Sequence, residues 1–206
     1  MNQVNPEQVG AVILAAGNSK RMNSRKPFLK FDKDHTFIEK LISTFLQWGC
    51  QEIVIVINRD VQTQRDFFDQ LPEKVTHVLN EHPEFERFYS VKLGLGVIRN
   101  ASFCFIQNVD NPFIDARILD LLYEQRNDRG YSSPVYKNKG GHPILLNREI
   151  SDRIRNWPVD SANLKEVLNT MECIPVEMPD DRVLININSP EEYKRFCNGT
   201  NLRQNT

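Results

Sequence analysis

Val9-Gly10-Ala11-Val12-Ile13-Leu14-Ala15-Ala16-Gly17-Asn18-Ser19-Lys20-Arg21-Met22 decides the fold class. Val9 to Ala15 is a short apolar run, which predicts a buried strand. The loop Ala16 to Lys26 follows, with Gly17, Asn18, Ser19 and then Pro27 as turn signals. A helix comes next. Thr36 can cap it, Glu39 stands three residues on as the other half of a capping box, and Phe37, Leu41, Ile42, Phe45 and Trp48 recur at helical spacing until Gly49. The pattern then repeats, predicting a strand over Glu52 to Ile57, a helix over Val61 to Leu71, a strand over Val75 to Leu79, a helix over Arg87 to Ile98 and a strand over Ser102 to Val109. Such alternation predicts an α/β fold with right-handed crossovers, a mainly parallel central sheet and helices on both faces. Ligands of such sheets sit beyond the carboxyl ends of the strands, here Ala15 to Gly17, Leu79 to Asn80 and Val109 to Asp110.

After a helix over Ala116 to Arg129 the rhythm changes. Tyr131 to Tyr136 and His142 to Leu146 predict two strands joined by a short Lys-Gly loop, a small antiparallel part where a second substrate is expected. Short helices over Arg148 to Trp157 and Ala162 to Asn169, strands over Cys173 to Met178 and Val183 to Ile187, and a last helix opened by Pro190 complete the chain. With no repeat or linker, residues 1–198 read as one domain and 199–206 as a polar tail.

Composition narrows the function classes. The 206 residues are 40% hydrophobic and 26% charged, the balance of a globular domain that needs no disulfide or structural metal. Twenty-six Lys and Arg against 27 Asp and Glu leave a net charge of -1, which gives no support to a nucleic-acid partner. The apolar runs fall well short of the roughly 18 residues of a membrane span, so no membrane partner is expected. Met1 to Gln8 is polar, and the location expected is cytoplasmic. Cys50, Cys104, Cys173 and Cys197 form no CxxC pair and read as reduced and mostly structural.

The residues that could carry chemistry cluster at the strand ends. Small residues at Leu14, Ala15, Ala16 and Gly17 would let backbone amides approach an anion, and Lys20, Arg21, Arg25, Lys26 and Lys30 crowd the same loop. With one glycine it is neither GxGxxG nor a P-loop, so it reads either as a phosphate site or as a solvated loop. Asp110, followed by Asn111 and Pro112, reads either as a ligand for Mg²⁺ or as the cap of the next helix. Phe85, Phe88 and Tyr89 could stack on a base or fill the core.

Together these pieces resemble the MobA-like nucleotidyltransferases, the family of molybdenum cofactor cytidylyltransferase and molybdopterin guanylyltransferase. Residues 11–31, AVILAAGNSKRMNSRKPFLKF, are similar to that family's LAAGxSxRMG…KxLL. Residues 86–95 resemble its Ser-x-x-x-Gly-Leu helix start, 105–112 its strand ending in GDxP, Gly141-His142-Pro143 its GHP, and Asn186-Ile187-Asn188-Ser189-Pro190 its DIDTP. The resemblance implies a three-layer Rossmann-like nucleotidyltransferase fold. It further implies an enzyme that moves an NMP from an NTP, CTP or GTP favoured, onto a small phosphorylated acceptor with Mg²⁺ as cofactor. On that reading Leu14, Ala15, Ala16, Gly17 and Asn18 hold the triphosphate, Arg21 and Lys26 neutralise it, and Ser90 faces the base. Asp110 and Asn188 bind the metal, and Gly141 and His142 meet the acceptor.

Three departures bear on the acceptor. Val109 stands for the family's glycine, Asn111 for its Gln or Met, and residues 157–165, WPVDSANLK, replace the Gly-Asp-x-Gly-Ala-Arg segment of the cofactor cytidylyltransferases. The acceptor alternative is a sugar phosphate or phospho-alcohol. A different class of reading, a non-catalytic NTP sensor, is motivated by Asn186 and Asn188. His142, as a lone histidine, reads as a structural hydrogen-bonder or as an acid or base.

Overall fold

The computed structural model describes residues 9–17 and 25–203. Strand β1 (Val9–Ala15) lies at the centre of an eight-stranded sheet, paired in parallel with β2 (Glu52–Ile57) on one side and β4 (Phe103–Asn108) on the other. Strand β3 (Val75–Leu79) extends the parallel part beyond β2. On the far side β7 (Ile144–Asn147) runs antiparallel to β4 and β5 (Gly130–Tyr136), which pairs in turn with β6 (Lys139–Gly140) and, in parallel, with β8 (Glu172–Glu177). The antiparallel part expected from the sequence is therefore β6 and β7. Lys137 and Asn138, both at positive φ (48° and 62°), turn the β5–β6 hairpin, as a two-residue loop requires.

Side chains of β1 alternate between two cores. Ala11, Ile13 and Ala15 pack with Phe37, Leu41 and Phe45 of α1 (Phe37–Trp48) and with Ile118, Leu119 and Leu122 of the later helix over Ala116–Glu124. Val12, Leu14 and Ala16 face Phe88, Val91 and Leu95 of the helix over Glu86–Val97 and Ile150 and Ile154 of the helix over Arg148–Arg155. Each buried aliphatic or aromatic side chain contributes roughly 1.5–3 kcal/mol, which explains why strand and helix periods dominate the sequence. The capping box of α1 forms as read, and Gly49 ends the helix at φ 113°.

The largest differences from the sequence expectation are four, three of them where a short polar side chain competes for the backbone. The helix expected over 61–71 is two, α2 (Arg59–Gln62) and α3 (Arg65–Asp69); Asn58 caps the first, and the Thr63 hydroxyl donates to Asp60 O where the ladder breaks. After α4 (Glu86–Val97), helix α5 (Ala116–Glu124) stops short because Asn127 Oδ1 accepts from Arg129 N and Gly130 N and turns the chain into β5. Beyond α6 (Arg148–Arg155) and α7 (Leu164–Leu168), the strand expected over 183–187 is a 3-10 turn, Asp181–Leu184, capped by Asp180. Helix α8 (Pro190–Arg203) runs on into the stretch read as a polar tail. Among the described residues no helix is long and apolar enough to cross a membrane, and all four cysteines are free.

Candidate active site

Because β7 runs against β4, with Ile144 opposite Ile106, the residues that enter β7 lie beside those that leave β4. One rim of the sheet thus collects the carboxyl ends of β1, β3 and β4 and the entry to β7. A cleft of about 1010 Å³ opens there. It is lined by Leu14, Ala15, Ala16, Gly17, Lys26, Ser90, Asp110, Gly141, His142 and Asn188, every described residue of the site that the family resemblance implies, whereas Arg25, Lys30, Phe85 and Tyr89 are not part of its lining. Asn18 and Arg21 lie outside the described residues.

Lys26, Asp110 and Asn188 come from three distant parts of the chain and meet in this cleft. Lys26 Nζ donates to Asn188 Oδ1 at 2.9 Å and to Asp110 Oδ2 at 3.5 Å. Backbone bonds fix the trio: Ile187 N donates to Asp110 O at 2.8 Å, and the Glu192 carboxylate accepts from Asn188 N and Ser189 N. The alternative role for Asp110 as a helix cap is taken instead by Asp115, whose Oδ1 accepts from Ile118 N and whose Oδ2 pairs with Arg182. Asp110 Oδ1 is buried and has no hydrogen-bond partner among the described residues. An orphaned buried carboxylate oxygen calls for a cation or donor beyond the described residues.

The wall opposite is laid by β1 and α4. Asn58 Nδ2 donates to Ala16 O at 3.1 Å and so holds the loop after β1. A Cβ added at Gly17 would meet nothing within 4 Å among the described residues, and Gly17 lines the cleft. Ser90 is buried; its hydroxyl accepts from Asn80 Nδ2 at 3.0 Å and reaches back to Glu86 O at 3.4 Å. Gly94 lets α4 lie close on the sheet, since a Cβ there would stand 2.4 Å from Val12 Cγ1. Phe88 is core, whereas Phe85 and Tyr89 cluster with His82, whose ring stacks on Phe85 at 5.1 Å.

The MobA-like NTP transferase domain matches residues 11–174. The chain belongs to this family. It is accordingly a nucleotidyltransferase. Among curated relatives, a protein named "Probable molybdenum cofactor guanylyltransferase" from Clostridium perfringens is 27% identical over 197 residues, covering 89% of this chain and 93% of that one. A 2-C-methyl-D-erythritol 4-phosphate cytidylyltransferase from Geobacillus thermodenitrificans is 29% identical over 173 residues, covering 79% and 74%. Among solved structures, Rv0371c from Mycobacterium tuberculosis superposes with a TM-score of 0.77 at 19% identity, covering 93% of this chain and 98% of its own; its manganese complex gives 0.69 at 16%, covering 92% and 97%.

In this transferase the wall around β7 is built by close backbone approach. A Cβ at Gly141 would fall 2.4 Å from Val183 O, so only glycine fits. Val183 O accepts from His142 N at 3.0 Å and from Asn111 Nδ2 at 2.9 Å. Asn111, one of the departures from the family pattern, is thus a fully buried strap between the end of β4 and the 3-10 turn. His142 Nδ1 is buried without a partner among the described residues, and burial together with the Arg87 guanidinium lowers its pKa to about 4. At neutral pH the imidazole is uncharged. Asn80, named in the sequence only as part of a strand end, also lines the cleft, as do Arg87, Ser133 and Lys165, which the sequence did not mark as site residues.

Proposed function

We propose that this nucleotidyltransferase moves an NMP from an NTP, CTP or GTP, onto a phosphate oxygen of a small phosphorylated acceptor of the molybdopterin kind. The acceptor oxygen forms a bond to the α-phosphorus, the bond to the β-phosphate bridging oxygen breaks, and pyrophosphate leaves. The observation that carries this reading is the convergence of Lys26, Asp110 and Asn188 in the cleft beside the β1 loop.

A divalent cation fits the donor set. Asp110 has a buried oxygen to spare, Asn188 offers an amide oxygen, and one or two protein oxygens completed by phosphates and water suit Mg²⁺. When bound, Mg²⁺ would draw off charge from the phosphates as pyrophosphate departs. The chain's own contribution is positioning and neutralisation. Amides of residues 15–17 border the triphosphate, Lys26 and Arg21 balance its charge, and Asn80 and Ser90 brace the turn that meets the base. Gly141 and His142 form the acceptor wall, with the uncharged imidazole acting as a hydrogen-bonding group rather than a base. Residues 1–198 act as one domain.

The test is pyrophosphate release with GTP or CTP, Mg²⁺ and a panel of acceptors: molybdopterin, a methylerythritol phosphate and an inositol phosphate. Release with molybdopterin supports the reading. Release confined to another acceptor moves the substrate class, and no labelled NMP product with any of them overturns the reading.

A further inference from the structure

Lys26 and the cation assigned above meet on the same two side chains: both take Asn188 Oδ1, and the ammonium holds Asp110 Oδ2 beside the Oδ1 left for the cation. The Nζ ammonium spans Asn188 Oδ1 and Asp110 Oδ2, and the Lys26 and Asp110 side chains are only 13% and 21% exposed. At such burial a +1 charge beside the site repels an incoming +2 ion far more than it would in water. The protein offers little to offset this: among the described residues no group of three or more His, Cys, Asp or Glu could hold a metal. A free cation would therefore have to displace Lys26 from Asn188, sit on Asp110 Oδ1 beside the ammonium, and accept one carboxylate and one amide in return.

We propose that this site takes its divalent cation only as a chelate with the nucleoside triphosphate, Lys26 keeping the free ion out. The proposal rests on the reading of Asp110 as a metal ligand. A triphosphate changes both sides of the exchange. Its oxygens draw the ammonium away on its flexible four-carbon stem, and they supply the ligands that the protein lacks. A free cation does neither.

Binding of Mn²⁺ to the full chain, read from the EPR signal of the bound ion, tests this without turnover. In wild type, Mn²⁺ alone should bind at least about tenfold more weakly than Mn²⁺ with a non-hydrolysable GTP or CTP analogue. Lys26→Met and Lys26→Gln should tighten binding of Mn²⁺ alone at least about tenfold over wild type. Lys26→Arg, which keeps a cation, should leave Mn²⁺ excluded, and adding Asp110→Asn to Lys26→Met should abolish the gain. If Lys26→Met and Lys26→Gln are folded by circular dichroism and bind Mn²⁺ alone no better than wild type, the proposal is overturned. The metal reading survives that result so long as analogue-dependent Mn²⁺ binding is lost in Asp110→Asn. A gain that persists in Lys26→Met with Asp110→Asn also overturns the proposal. Absence of Mn²⁺ binding to wild type even with either analogue overturns the metal reading and the proposal together.

Discussion

Two glycines two residues apart, on opposite faces of α4, should respond to alanine with opposite signs. In a helix interior Gly→Ala normally stabilises by about 0.5–1 kcal/mol, through backbone entropy and helix propensity. At Gly96 a Cβ would meet nothing within 4 Å, so Gly96→Ala should gain that amount. At Gly94 the new Cβ would lie 2.4 Å from Val12 Cγ1 and 3.0 Å from Val56 Cγ2. Both valines are fully buried in the sheet, and a β-branched side chain has no spare rotamer to retreat into, so α4 must lift by roughly 1 Å or the valines must strain. Overpacking of this kind costs about 1–3 kcal/mol, which exceeds the propensity gain. Gly94→Ala should therefore lose about 1–2 kcal/mol net, a fall in Tm of about 2–4 °C per kcal/mol at this chain length. Urea melts of both variants measure it. Adding Val12→Ala to Gly94→Ala should recover part of the loss in a double-mutant cycle. A lifted α4 also moves Arg87 and Ser90 at the cleft, so KM for the nucleotide should rise in Gly94→Ala and stay unchanged in Gly96→Ala. Equal or greater stability of Gly94→Ala would refute the close-packing account of this helix.

Asp110→Asn should lower transfer at least about a hundredfold while leaving the melting curve near wild type, because Asp115 and not Asp110 caps α5; near-normal kcat at saturating Mg²⁺ would sink the assignment. Asn188→Asp should lower the Mg²⁺ concentration for half-maximal activity, since a second carboxylate shares the metal's charge; an unchanged Mg²⁺ dependence in the folded variant places residue 188 outside the metal's ligands. His142, with its pKa lowered from 6.5 to about 4, should add no inflection to kcat between pH 6 and 8. Its effect belongs to stability: between pH 6.5 and 4 the unfolded chain binds a proton that the folded chain refuses, so stability falls as pH drops through that window. His142→Gln should flatten that part of the stability profile, and an equally steep profile in the variant would show that other groups cause it.

How much of this could be read in the sequence depends on the physical range of the signal. Burial on both faces of β1 and the capping box at Thr36 and Glu39 are written in neighbouring residues, and they survive intact in the structure. The α5 boundary and the break between α2 and α3 turn on single side-chain bonds from Asn127 and Thr63, which periodicity does not register. The cation cluster was nominated residue by residue through ordered motifs, yet no local pattern links Lys26 to a partner 162 positions away. Asn111 looked like a loss from the family pattern because its task, holding Val183 O, belongs to a turn 72 residues downstream.

The acceptor side follows the same logic. Residues 157–165 carry none of the family's acceptor sequence, yet Ala162, Asn163, Leu164 and Lys165 line the cleft. What holds them there is α4, the helix of the nucleotide wall: Lys92 Nζ donates to Trp157 O at 2.7 Å and to Asp160 Oδ1 at 2.6 Å. Ser90 and Lys92 leave α4 two residues apart, one braced by Asn80 at the end of β3 and the other gripping Trp157 and Asp160. On the proposed function, a shift of α4 at the base would reach residues 157–160 through one partly buried ammonium. Lys92 stands inside the Ser-x-x-x-Gly-Leu stretch, yet its two partners lie 65 and 68 residues downstream, which is why no local pattern announces that α4 holds residues 157–160 beside the cleft.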